Sequence, residues 1–297
     1  MKLANYYVAD EIDRVSHFRQ DDAWLAKKLA DPTSCFVPVW QLQNLFAVND
    51  ERQPVFLAKD DVAAIIADEV ILLGVADGKA YFALDFSIHK EPPLADLGVF
   101  CELRAVDVIL PRQISSILAF ARGIVYWHSR HQYCGECGSP TISRQAGHLR
   151  VCRNMKCGAT CFPRTDPAVI MLIHNGEHIL MGRQNRWPPG MHSVLAGFVE
   201  PGESLEEAVA RETFEEAGIK ITDICYHSSQ PWPFPASIML GFMARAVTTQ
   251  LVIDYNELED ARWYSREDLV TSPEDSSFCL PRKDSIARRL VDDWLKT

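Results

Sequence analysis

Two groups of residues in this chain have types and spacings suited to chemistry. The first is sulfur. Cys134 and Cys137 form a Cys-x2-Cys knuckle with Gly135 and Gly138; after fourteen intervening residues come Cys152 and Cys157, with Cys161 close behind. Two thiolate pairs presented by two hairpin tips make a tetrahedral S4 site, a donor set that suits Zn2+. Cysteine fills all four positions, so the expected zinc is structural rather than catalytic, one per chain. Cys161 in place of Cys157 is the alternative ligand set, and reduced buried thiols without metal are the bland one. A redox role for the first knuckle lacks a thioredoxin-like βαβ setting. Cys35, Cys101, Cys225 and Cys279 are scattered and read as small hydrophobes.

The second group is carboxylate. Between Gly197 and Gly218 stand seven acidic residues and one arginine. Ser204 with Glu207 three positions later is a capping box that starts a helix, and Gly218 is a good stop. Leu205, Ala208 and Val209 give that helix an inward face. Glu212 and Glu216 are four apart with Glu215 beside them, so their carboxylates gather on adjoining faces. Like charges this close repel. Mg2+ or Mn2+ relieves the repulsion, since hard cations favour carboxylate oxygens and bridge to substrate phosphates. A solvated acidic face is the alternative that charge runs usually deserve.

The elements that must position these groups fall into three stretches. Residues 1–128 read as mixed α/β, with strands at 36–40 and 45–48, a hairpin at Asp77-Gly78 and a helix over 114–127. Residues 129–163 are rich in Cys, Gly, Arg and small polar residues. That composition cannot build a core of its own, and bound zinc can supply the missing stability. Residues 164–297 return to α/β: strands at 168–174 and 178–182 around Asn175-Gly176, further strands at 193–199 and 238–247, and a closing amphipathic helix at 284–295.

Composition excludes several classes. Of the 297 residues 47% are hydrophobic, enough apolar material to exclude dominant disorder. No apolar run approaches the ~18 residues a membrane span needs. Residues 1–10 carry no basic segment followed by an apolar core, so a cytoplasmic protein with reduced thiols is expected. A net charge of −10 argues against broad nucleic-acid binding. Locally, however, Arg144, Arg150, Arg153, Lys156 and Arg164 make the cysteine segment basic, fit to guide a phosphate chain.

Gly197, Glu203, Arg211, Glu212, Glu215, Glu216, Gly218 and Ile219 match the Nudix box, G-x5-E-x7-R-E-U-x-E-E-x-G-U, with Thr213 standing where a bulky aliphatic residue is usual. Past the box, Ser229-Gln230-Pro231-Trp232-Pro233-Phe234-Pro235-Ala236-Ser237 resembles the SQPWPFPxS signature of the NADH pyrophosphatase subfamily, the NudC-like proteins. A zinc ribbon directly before the box, and the junction at residues 162–170, resemble that group too. The likeness covers about residues 133–295, and loosely the N-terminal part.

The resemblance implies an α/β fold: a Nudix α/β/α sandwich, preceded by a zinc ribbon and a degenerate N-terminal Nudix-like domain. It implies an enzyme that hydrolyses the diphosphate of NADH or NAD+ to nicotinamide mononucleotide and AMP, or removes NAD caps from RNA 5′ ends. Glu212, Glu215, Glu216 and Glu257, with the Ala196 carbonyl, would hold Mg2+ or Mn2+, and one of the helix glutamates, Glu216 first, would be the base. Glu203 and Arg211 would pair to fix the loop. Phe162, Ala287 and residues Gln230 to Ser237 would contact the dinucleotide. A homodimer is implied as well. The competing expectations are a Nudix hydrolase of another substrate such as ADP-ribose, and a non-catalytic zinc-ribbon module that binds nucleic acid.

Overall fold

The computed structural model describes residues 5–8, 11–48, 53–62, 67–106 and 110–297. Of residues 1–10, read above for a leader, only 5–8 are among them. Two compact units emerge. One comprises Tyr7–Thr165 and Pro233–Ala236, the other Asp166–Trp232 and Ser237–Thr297 with Asn5 and Tyr6.

In the first unit, helix α1 (Asp22–Ala30) leads to β1 (Cys35–Trp40) and β2 (Gln43–Phe46), then to the short α2 (Lys59–Val62). Strands β3 (Glu69–Ala76) and β4 (Lys79–Asp85) flank the Asp77-Gly78 turn, and β5 (Val99–Cys101) follows. The sheet order is β3-β4-β1-β2-β5, with β1 and β4 parallel. Asp77 and Gly78 both have positive φ, 49° and 77°, which is why this dipeptide makes the turn. Helix α3 (Arg112–Arg130) lies across the sheet and buries Ile117, Leu118, Ala121, Ile124 and Val125.

The cysteine segment forms a small sheet of β6 (Thr141–Arg144), β7 (Leu149–Cys152) and β8 (Thr160–Cys161). A buried polar set fixes it within the same unit. Arg150 donates to Glu69 Oε1 at 2.8 Å and to His128 Nδ1 at 2.7 Å, while His128 Nε2 lies 2.8 Å from the Gly147 carbonyl. Arg150 is only 6% exposed, so it leaves the basic group assigned to a phosphate chain: its charge is spent on Glu69.

The second unit holds β9 (Asp166–His174), β10 (His178–Arg183), β11 (Leu195–Phe198), α4 (Leu205–Ala217), β12 (Ile221–Trp232), β13 (Ser237–Ala246), β14 (Asp260–Ser265), α5 (Arg266–Val270) and α6 (Ile286–Trp294). Its mixed sheet runs β12-β13-β9-β10-β14, with β11 paired to β9. Both faces are covered, as the unbroken apolar run in β9 demands. Val169, Met171 and Ile173 meet Ala208, Val209 and Ala217 of α4. Ile170 and Leu172 meet Ile286, Ala287, Leu290 and Trp294 of α6. The result is an α/β/α sandwich.

Residues 229–232, where the sequence carries no strand signal, form the end of β12, paired Ser229 to Leu240 and Trp232 to Ser237. Prolines at 231, 233 and 235 hid the strand, because a proline cannot donate to a ladder. No described helix is long and apolar enough to cross a membrane.

Candidate active site

The acidic helix starts as its sequence dictates. Ser204 accepts from the Glu207 N–H, and Glu207 Oε2 accepts in return from the Ser204 N–H at 2.8 Å. It ends at Gly218, whose φ of 71° and N–H bond to the Phe214 carbonyl close the last turn. A second constraint acts at Gly218: a Cβ there would lie 2.7 Å from Cβ of Val252. The segment that follows β13 runs past this helix end. Val252 donates to the Ala217 carbonyl at 2.9 Å and Asp254 to the Glu216 carbonyl at 3.1 Å. The Asp254 carbonyl then accepts from Glu257 and Leu258, and Leu258 is sunk into the core at 2% exposure. This holds Glu257 beside the helix from far along the chain.

Glu212, Glu216 and Glu257 accordingly bring one carboxylate oxygen each within 4.8 Å of one another. Glu212 and Glu216 are buried and Glu257 is exposed. Burial pushes the Glu216 carboxyl up to about 8, and the charges of Glu212 and Glu257 push the same way. Burial also raises Glu212, with the Arg211 guanidinium opposing. Glu216 Oε2 is buried and has no partner. Three clustered carboxylates, two of them buried and one with an orphaned oxygen, are a poor arrangement for a bare protein and a good one for a hard divalent cation.

Arg211 organises the rest. It donates to Glu203 Oε1 at 2.6 Å and Oε2 at 2.9 Å, to Glu212 Oε1 and Glu215 Oε2 at 2.9 Å each, and to the Phe198 carbonyl at 2.9 Å. These bonds hold the Glu203 carboxyl down to about 2 and tie loop 199–204 to the helix. Glu215 does not join the trio. Its side chain is 56% exposed and turned to Arg211, because the step from 212 to 215 carries it around the helix. Glu206 is exposed. Thr213 is wholly buried and donates its hydroxyl to the Val209 carbonyl at 2.7 Å, so it needs no outside partner where an aliphatic residue was expected.

The first glycine of the box has a role its sequence does not announce. A Cβ at Gly197 would fall on the Glu212 carboxylate. Strand β11 thus runs close beside that carboxylate, with the Ala196 carbonyl one residue away.

The four sulfurs of Cys134, Cys137, Cys152 and Cys157 lie within 4.8 Å of one another, without Cys161. Cys134 to Cys157 spans 3.8 Å and Cys137 to Cys152 3.5 Å, against about 3.8 Å for a tetrahedron of 2.3 Å zinc–sulfur bonds. None of the nine cysteines is in a disulfide. Hydrogen bonds from Ser139 pull the Cys137 thiol down to about 6, the direction that favours a thiolate ligand. The donor set and spacing fit a closed structural metal site.

The residues assigned to substrate divide. Phe162 is 61% exposed and open to a ligand. Pro231, Trp232 and Ala236 are half-buried, Pro235 is exposed, and Pro233 and Ser237 are buried. The Phe234 ring lies beneath the guanidiniums of Arg104 and Arg122, at 4.7 and 4.8 Å, with Tyr7 edge-on at 5.7 Å. Gln230 does not present a free amide. It is 0% exposed, donates to the Tyr6 and Asp284 carbonyls at 3.2 and 2.8 Å, and accepts from the Ile286 N–H at 2.8 Å. It caps α6. Ala287 is 5% exposed in the core beneath that helix. Sequence reading missed Tyr7, Arg104 and Arg122, since nothing local ties them to residue 234.

The NUDIX domain profile matches residues 164–282, and that of the NADH pyrophosphatase-like rudimentary NUDIX domain matches residues 33–127. The NAD-capped RNA hydrolase NUDT12 of Macaca fascicularis is 43% identical over 98% of this chain and 73% of its own. The NAD-capped RNA hydrolase NudC of Stutzerimonas stutzeri is 39% identical over 75% of this chain and 76% of its own. Human mitochondrial NAD(P)H pyrophosphatase NUDT13 is 33% identical, covering 77% and 72%. With its carboxylate trio, its four-cysteine cluster and both domain matches, the chain belongs to the Nudix hydrolases, in the group that carries the NADH pyrophosphatase-like domain.

Proposed function

We propose that this protein is a metal-dependent diphosphatase that splits NADH or NAD+ into the nicotinamide mononucleotide and AMP, and that it also accepts NAD-capped RNA 5′ ends. The observation that carries the reading is the trio Glu212, Glu216 and Glu257 beneath an intact box. The names of the relatives support the substrate class.

Divalent cations, Mg2+ or Mn2+, supply charge neutralisation of the diphosphate and polarisation of its P–O bonds when bound. Glu212, Glu216 and Glu257, with the Ala196 carbonyl, are the groups to hold them. Glu216 is the proton acceptor for the attacking water. As the water oxygen bonds to phosphorus, the bridging P–O bond breaks, and the water's proton passes to the Glu216 carboxylate. Glu215 serves through Arg211, which fixes Glu212 and the loop together. Phe162 and the exposed parts of residues 231–236 are the contacts left for the nucleotide rings. We assign one structural Zn2+ to the four cysteines. A homodimer and a reducing, cytoplasmic setting complete the reading, supported by family likeness and by nine free thiols.

The test is product analysis of purified protein incubated with NADH, ADP-ribose and NAD-capped RNA, each with Mg2+ or Mn2+. Equimolar reduced nicotinamide mononucleotide and AMP, formed faster than products from ADP-ribose, are expected. Preference for ADP-ribose overturns the substrate assignment, and absence of any cleavage overturns the enzyme. Light scattering should give twice the 33.5 kDa chain mass.

A further inference from the structure

The turn between β12 and β13, residues 233–236, is packed against another element of its own unit. Pro233 and Pro235 restrict the turn's own backbone, so what remains to be set is where the turn as a whole sits, and that depends on its neighbour. The neighbour is α3. Residues 233–236 pack as part of the same compact unit as that helix. Arg122, in the middle of α3 and only 7% exposed, donates from Nη1 to the Pro233 carbonyl. Its guanidinium also lies over the Phe234 ring at 4.8 Å. A buried cation on one carbonyl and one aromatic face is a costly device, and its Nε is left without a partner. The next residue is a mid-helix glycine, which helix formation alone disfavours. A Cβ at Gly123 would lie 3.1 Å from Cβ of Pro233, closer than ordinary contact, so the missing side chain is what lets the turn approach.

We propose that Arg122 is a positioning residue. Together with the bare surface of Gly123, it fixes the turn at 233–236 and so sets the preference for a dinucleotide over a substrate lacking the second base. The inference rests on the proposed function, in which this turn faces the nucleotide. Arg122 touches no reacting atom. It acts through Pro233 and Phe234, one by hydrogen bond and one by its ring face. Lysine cannot reproduce both, because it is a point charge without the planar fork.

The experiment compares wild type, Gly123→Ala and Arg122→Lys on NADH and ADP-ribose, with melting temperatures alongside. Gly123→Ala should keep or raise the melting temperature, since alanine favours the helix, while the turn is pushed out by a few tenths of an ångström. Its KM for NADH should rise about 5- to 30-fold with kcat within about 2-fold, and ADP-ribose turnover should hardly change. Arg122→Lys should move the same ratio in the same direction. For Arg122→Ala, guanidinium at tens of millimolar should restore part of the NADH preference, and sodium at the same strength should not. The inference is overturned if folded Gly123→Ala keeps the wild-type ratio of NADH to ADP-ribose efficiency, or loses both activities equally. Failure of the underlying function shows separately, as wild type that does not cleave NADH.

Discussion

Gly197 and Glu212 share one space: the glycine Cα lies against the carboxylate, and any side chain at 197 would occupy the carboxylate's position. Gly197→Ala should therefore displace Glu212 and break the trio while leaving the core of α4 and β9 intact. Turnover should fall at least ~100-fold, the scale of misplacing a catalytic group by about an ångström. Circular dichroism should show an unchanged fold. Near-normal turnover would mean that Glu212 does not need this place.

The raised Glu216 carboxyl, at about 8, makes cation binding release a proton. Below that pH the group is protonated in metal-free protein and must ionise to act as ligand. Calorimetry in two buffers of different ionisation heat should give about one proton released per cation site near pH 6.5, falling toward none above pH 8. Stability of metal-free protein should fall over the same rise in pH. A carboxyl raised in the folded state stabilises below its unfolded value near 4.5, and that contribution is lost as pH rises through about 8. Glu216→Gln should abolish the proton release and cut turnover at least ~100-fold, whereas Glu206→Gln, exposed on the same helix, should be nearly silent.

The S4 cluster predicts about one zinc per chain in freshly purified protein, by elemental analysis. Cys134→Ser should lower the melting temperature by roughly 5 °C or more before it alters the chemistry. Cys161→Ser should leave zinc content unchanged, because the thiol lies outside the cluster. Folded protein without metal would remove the ribbon assignment.

Gln230→Ala should act on stability, not on selectivity. It deletes three hydrogen bonds at a wholly buried site and leaves the first N–H of α6 without its acceptor, at a cost of about 2–3 kcal/mol. Activities on NADH and ADP-ribose should fall together, if at all. A selective loss on NADH at unchanged melting temperature would restore Gln230 as a substrate contact.

The sequence by itself determined what rests on near neighbours. The Ser204–Glu207 box, the αL stop at Gly218, the Asp77-Gly78 turn and the spacing of the cysteine pairs each involve atoms a few residues apart, so pattern and geometry coincide. Glu212 and Glu216 were legible for the same reason, being one turn apart on a helix. Only the tertiary structure decided which of the remaining side chains were free to work. Glu257 joins the trio because Asp254 and Leu258 lay its loop along the end of α4. Glu215 is taken by Arg211, Arg150 by Glu69, and Gln230 by the start of α6. Phe234 lies under two arginines more than a hundred positions earlier. Hydrogen-bond capacity and burial are properties of a place rather than of a residue type, and places built by contacts that distant leave no local mark on the chain.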